Sequence, residues 1–244
     1  GAGPVAHRQP GRQRDGDPVC EPNDGRLRQL SGAGDSLRKL LRPDHRDAVQ
    51  LESTRTELED AFPDAQVRAF AADVADAEQR REIFDWVEDL GDGLQILVNN
   101  AGSNARMLAM DYADAQWREI FETNVFAAFE LSRFAFPLLS RHAASSIVNV
   151  GSVSGLEHVR TGAPYGMSKA ALHQMTRNLA CEWAEDGVRV NAVAPWYIRT
   201  RRTSAALADA DYLDEVIDRT PMRRVGEPEE VAAAVAFLCL PASS

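Results

Sequence analysis

The sequence predicts an α/β fold in which a parallel sheet is wound with helices on both faces. Two observations carry the prediction. From about residue 46 onward, short apolar runs alternate with stretches whose apolar residues recur at helical spacing, the pattern of successive βαβ units. The later apolar runs each end in a polar or glycine-bearing stretch: VNNAG, VGSVSG and APWYIRT. Crossover handedness sets all the strand C-ends of such a sheet on one edge, so these loops converge on one crevice.

Taken in order, AQVRAFAADV (65–74) reads as a short strand ending at Asp73. DAEQRREIFDWVEDLG (76–91) places Ile83, Phe84, Val87 and Leu90 at the spacing of an amphipathic helix. LQILV (94–98) is continuously apolar and reads as a strand buried on both faces. A long helix is predicted from about Asp114 to Arg141, bent near Pro137, and SIVNV (146–150) is the next strand. Pro164 suits a first helical position and opens a helix to about Asp186. VRVNAVA (188–194) is a further strand, stopped by Pro195. Residues 196–227 read as polar and irregular, with a helical lid in SAALADADYLDEVI, and EPEEVAAAVAFLCL closes as a helix.

Composition excludes several classes. A formal net charge of −10 over 244 residues argues against general nucleic-acid binding. The longest apolar run, from Val231, is too short for a bilayer, so no membrane role is expected. Cys20, Cys181 and Cys239 are odd in number and scattered, which suits free thiols and a cytoplasmic location. The five histidines show no ligand spacing, so no metal is expected.

The chemistry is carried by APYGMSKAALHQM. Tyr165 and Lys169 are an i, i+4 pair on one helix face. A phenol with its usual pKa near 10 is a poor acid–base group at neutral pH, and a neighbouring ammonium lowers that pKa. Alone, Tyr-x-x-x-Lys is common by chance. Ser152, at the end of a predicted strand, adds a hydroxyl that can hold a substrate carbonyl. Asn124 lies inside the preceding predicted helix, where a kink or an exposed polar residue is the plainer reading.

NNAG (99–102), TNVF around Asn124, GSVSG with Ser152, YGMSK and VNAVAP follow one another as in the short-chain dehydrogenase/reductase family, which the chain resembles over residues 46–240. MTRNLACEWAEDGVRVNAVAPWYIRT and TPMRRVGEPEEVA are similar to its tropinone-reductase-like branch, including Pro195-Trp196 where many relatives have Pro-Gly. The resemblance implies a single-domain, Rossmann-type doubly wound parallel sheet and NAD(P)(H)-dependent interconversion of a ketone and a secondary alcohol. It gives Tyr165 the role of proton donor and acceptor. Lys169 would lower its pKa and bind the nicotinamide ribose, Ser152 would orient the carbonyl, and Asn124 would anchor a relay water. Asp73 and Val74 would face the adenine, and Asn99, Asn100, Ala101 and Gly102 would line the cofactor together with Pro195. Ile198 and Thr200 would hold the carboxamide. Arg46 could meet a 2′-phosphate, which favours NADP(H) over NAD(H), against the plainer reading of a solvated arginine.

The chain departs from the family pattern at both ends. The glycine turn expected near residues 12–25 is not there, and Gly32 and Gly34 follow no strand pattern. Residues 1–45 are Arg-, Gly- and Pro-rich and read either as wrong-frame translation or as a divergent N-terminus, preceding a dehydrogenase-like domain over 46–244. The last strand of the sheet is not seen before Ser244. Weak cofactor binding follows as an expectation, and a cofactor-free remnant acting as a binding or structural protein is the alternative function. Trp196, Tyr197, His158 and residues 201–220 are expected to line the pocket and to suit a cyclic or apolar ketone. Family habit implies a homodimer or homotetramer through the 114–141 and 164–186 helices.

Overall fold

Three parallel strands in the order β1-β2-β3 make the sheet among the described residues. The computed structural model describes residues 48–91 and 93–244. β1 (Ile96–Asn99) pairs with β2 (Ser145–Val150) from Ile96 opposite Ser146 to Asn99 opposite Asn149. β2 pairs with β3 (Val188–Val193) from Ser145 opposite Val188 to Val150 opposite Val193. The helices are α1 (Ala48–Ala61), α2 (Ala77–Asp89), α3 (Asp114–Phe121), α4 (Ala127–Leu139), α5 (Ala163–Glu182), α6 (Arg201–Leu207), α7 (Ala210–Asp218) and α8 (Pro228–Cys239).

Side-chain alternation along β2 shows that the sheet is covered on both faces. Ser145 Oγ donates to Leu139 O of α4 (2.8 Å), and Asn149 Nδ2 donates to Thr176 Oγ1 of α5 (2.9 Å). Ser146 points the other way and donates to Leu238 O of α8 (3.0 Å). Arg189 of β3 joins it there, donating to Leu238 O (2.8 Å) and Leu240 O (3.2 Å), so a cation meets the carbonyl end of α8. The crossovers β1–α3/α4–β2 and β2–α5–β3 run over one face, as a single hand of connection requires. Between them and the sheet lies the main core: Ile83, Phe84 and Val87 of α2, Leu131, Ala135 and Leu138 of α4, Leu179 of α5, and Leu97, Ile147 and Val190 of the strands.

The structure departs from the sequence reading in five places. Residues 65–73 form no strand: a strand exists only with a ladder partner, and this segment has none among the described residues. It is nonetheless anchored, by Phe70 packed on Trp86 (centroids 5.3 Å apart) and by buried Ala72 and Val74. β1 alternates buried Leu97 and Asn99 with half-buried Ile96 and Val98, and is not buried on both faces. The long 114–141 helix is interrupted by a π turn at Glu122–Phe126 and not at Pro137, which sits two residues from the end of α4 where little helix remains to break. The lid residues form two helices, α6 and α7, with a small core of their own in Tyr197, Leu207, Val216 and Val225. α1 was not predicted. It buries none of its described side chains and is supported by Arg55 paired with Glu52 (2.6 Å) and Glu59 (2.5 Å). The readings of residues 1–45, Cys20 and Arg46 fall outside the described residues.

Candidate active site

β1, β2 and β3 end at Asn99, Val150 and Val193 on one edge of the sheet, and their loops are tied together. Gly151 N donates to Val193 O (2.8 Å), and Val153 N donates to Pro195 O (3.1 Å). Asn99 turns its side chain under the edge, donating to Asn149 Oδ1 (2.8 Å) and Ser132 Oγ (3.1 Å), while Asn100 is exposed beyond it.

The π turn explains an asparagine in mid-helix. Ala127 N donates to Glu122 O, five residues back, and the widened turn holds Asn124 at 1% exposure. Asn124 Oδ1 accepts from Ser103 N (2.7 Å), and its Nδ2 donates to Ser103 O (3.0 Å) and Ser168 Oγ (2.9 Å). The sequence offered a kink or an exposed polar residue here. The helix is widened there, and the residue is buried because three hydrogen bonds replace its water.

Tyr165, Ser152 and Lys169 come together as expected. Ser152 stands close enough to the Tyr165 hydroxyl to oppose the rise of its pKa, and it caps the short turn Val153–Gly155 by accepting from Ser154 N (3.1 Å). Lys169 Nζ lies 5.8 Å from the centre of the Tyr165 ring and donates to Val150 O (2.8 Å). Burial pushes the Tyr165 phenol up, against the Ser152 hydroxyl and the charge of Arg202. Burial, with Arg202, brings the Lys169 ammonium down to about 8. Arg202, from α6, donates to Gly102 O and so reaches across the crevice.

The residues expected to contact the cofactor have partners of their own. Asp73 Oδ1 accepts from Ala75 N (2.9 Å), and Val74, fully buried, gives its carbonyl to Arg80 Nη1 (2.5 Å). Ala101 and Gly102 follow β1, half-buried. A methyl group built on Gly102 would stand 3.3 Å from Asn124 Oδ1, 3.6 Å from Lys169 Nζ and 3.9 Å from Arg202 Nη1, so bare backbone opens this space. Ser103 Oγ, buried beside it, has no hydrogen-bond partner among the described residues. A bare backbone, an orphaned hydroxyl and a lysine with one acceptor engaged fit a polyhydroxy ligand such as a nicotinamide riboside. Ile198 makes an isolated parallel bridge with Gly226, and Thr200 caps α6 by accepting from Thr203 N (3.3 Å).

Sequence reading missed His173. It continues the stripe of Tyr165 and Lys169 at the same four-residue step, is 6% exposed, and neither ring nitrogen has a partner among the described residues. Burial lowers its pKa, aided by Lys169 and Arg177. Its ring takes the place of a side chain at Gly151, where a Cβ would lie 2.1 Å from His173 Nε2. The stripe was readable from helical periodicity, whereas the reach of Arg202 was not. His158, expected in the pocket, is exposed, and only its carbonyl takes part, accepting from Arg219 Nη2 (3.3 Å).

Comparison with known proteins identifies the family and the fold. A family model described as enoyl-(acyl carrier protein) reductase matches residues 44–244. A tropinone reductase homolog of Arabidopsis thaliana is 46% identical over 179 residues, 73% of this chain and 68% of the relative. The Pseudomonas aeruginosa RhlG/NADP active-site complex superposes with a TM-score of 0.75 at 32% identity, covering 81% of this chain and 78% of that one. A gluconate 5-dehydrogenase from Burkholderia cenocepacia, in complex with NADP and tartrate, gives a TM-score of 0.72 at 29% identity over 78% and 74% of the two chains. With its Rossmann-like α/β fold, this chain belongs to the short-chain dehydrogenase/reductase family, an NAD(P)-dependent enzyme family, in its tropinone-reductase-like branch.

Proposed function

We propose that the protein interconverts a ketone and a secondary alcohol, with Tyr165 as acid and base. The observation that carries this is Tyr165 with Ser152 beside its hydroxyl and the buried Lys169 Nζ 5.8 Å from the centre of its ring. A bound nicotinamide supplies the hydride for the carbonyl carbon. Ser152 donates to the carbonyl oxygen and holds its growing charge, and Tyr165 gives that oxygen its proton. Lys169 holds positive charge under the phenol, with N–H groups left for ribose hydroxyls beyond the one given to Val150 O. Asn124, tied to Ser103 and Ser168, keeps the relay side of the site rigid. Asp73, Val74, Asn99 to Gly102, Pro195, Ile198 and Thr200 would hold the cofactor. NADP(H) is favoured over NAD(H), and the complexes of the two solved relatives with NADP support a nicotinamide cofactor.

We also propose a cytoplasmic homodimer or homotetramer. No helix among the described residues is long and apolar enough to cross a membrane. Phe126 and Phe129, 49% and 39% exposed beside α4, support an oligomer contact on that face. Titrating NADPH by its fluorescence and then adding a ketone panel tests the function. Ketone-dependent loss of the reduced-cofactor signal is expected, and its absence across aliphatic, cyclic and charged ketones at millimolar NADPH would reject the reading.

A further inference from the structure

Beside Trp196, Tyr197 and Tyr212 is a recess whose charge is mostly positive. Arg106 lies over the Tyr212 ring (4.7 Å to its centre), Arg160 over the same ring (5.6 Å), and Arg219 over Trp196 (5.4 Å). Glu215 is the one carboxylate lining the recess among the described residues, and it is paired with Arg160. Arg219 gives one N–H to His158 O. Arg106 meets no carboxylate or carbonyl acceptor among the described residues, so all its donors are unspent.

Stacking on a ring engages the face of a guanidinium and leaves its in-plane N–H fork directed outward, the geometry that grips a carboxylate in two parallel bonds. These two guanidiniums stand together in a chain of net charge −10, which repels anions elsewhere on its surface. Arg106 is also held in place. Its loop begins at Ser103, pinned to Asn124, and Ala105 O accepts from the Tyr112 hydroxyl. Gly102, beside Lys169 Nζ, is four residues away, so chain length alone keeps Arg106 within about 14 Å of Gly102.

We propose that the substrate is a carbonyl compound bearing a carboxylate, with Arg106 gripping the carboxylate and Arg219 adding attraction. The inference rests on the oxidoreductase reading and makes the pocket selective for anions, where the sequence alone suggested a neutral cyclic or apolar ketone.

Three methyl ketones of equal chain length test it: one with a terminal carboxylate, one neutral and one with a terminal ammonium. They are compared by kcat/KM at millimolar NADPH and by quenching of intrinsic tryptophan fluorescence without cofactor. A charge-assisted bidentate contact predicts that the carboxylate compound is favoured by about 10- to 100-fold over the neutral one. The ammonium compound should be the poorest, and the preference should shrink with added salt. In Arg106→Gln the carboxylate-to-neutral ratio should fall towards one, while Arg106→Lys should keep part of it. Arg106 is exposed, so an unchanged Tm separates lost recognition from lost folding. Turnover of all three ketones without preference would overturn the inference and leave the reductase reading intact. Arg106-dependent quenching by the carboxylate with no turnover of any ketone would support the anion site and reject the reductase reading. Absence of both turnover and quenching would overturn the inference.

Discussion

Lys169 is an ammonium held at 4% exposure with one backbone acceptor, a placement that favours chemistry over stability. The folded chain releases its proton near pH 8, whereas the unfolded chain keeps it to about 10.5. Between those values the unfolded state binds more protons, so this group makes stability rise with pH, and its full cost is carried below pH 8. Lys169→Met should therefore raise stability at pH 7 by roughly 1–3 kcal/mol, with a smaller gain near pH 10.5, and should abolish turnover. Calorimetry at the two pH values checks the first part, and a lower Tm at pH 7 would contradict it. A second prediction concerns Gly151. Alanine there meets the His173 ring, and overpacking of this kind costs about 1–3 kcal/mol. Gly151→Ala should be destabilised and slowed, because Ser152 follows directly, and His173→Ala in the same chain should restore part of the loss, the backbone Val193 O at 2.9 Å from the new Cβ keeping the rest. An additive double mutant would show that the ring and the glycine are independent. Ser152, Tyr165 and Lys169 were legible in the sequence because the chemistry fixes both residue type and spacing. His173 was not singled out, since a lone histidine within an apolar helix face carries no motif.

At the scale of elements, Arg80 joins three parts of the chain. It is 1% exposed, gives Nη1 to Val74 O, and pairs with Glu122 of the π turn (3.0 Å) and Glu130 of α4 (2.8 Å). The segment expected to face the adenine is thus linked to the turn that presents Asn124. Arg80→Met leaves Val74 O without its donor and two carboxylates, each about a third exposed, without their cation, a loss of about 1–3 kcal/mol. A matching fall in the urea midpoint with an unchanged m-value is expected, and a shift under about 1 kcal/mol would show that the carboxylates find water instead. Neither the interruption at 122–126 nor the missing strand at 65–73 could be read from periodicity. The first depends on hydrogen bonds from Asn124 to distant Ser103 and Ser168, the second on a ladder partner that local sequence does not specify. α1 was passed over for a related reason: its charge pairs stabilise a helix without drawing an apolar stripe. The strands β2 and β3 were placed within a residue because their apolar runs end sharply at a glycine and a proline.

For the whole molecule, the body from 48 to 244 brings Ser152, Tyr165 and Lys169 to one edge of the sheet, while the glycine turn that meets a pyrophosphate has no counterpart in the sequence of residues 12–25. We therefore expect no rise in Tm with NADPH or NADH at micromolar concentration, and turnover only at millimolar cofactor. Saturable stabilisation at micromolar cofactor would show that another segment supplies the phosphate donors. The central claim is that Tyr165 moves the proton, and comparing Tyr165→Phe with the parent chain at millimolar NADPH tests it most directly. Loss of a general acid predicts a fall in kcat of about 100-fold or more, with NADPH fluorescence titrating as before. Turnover within threefold of the parent would contradict the account.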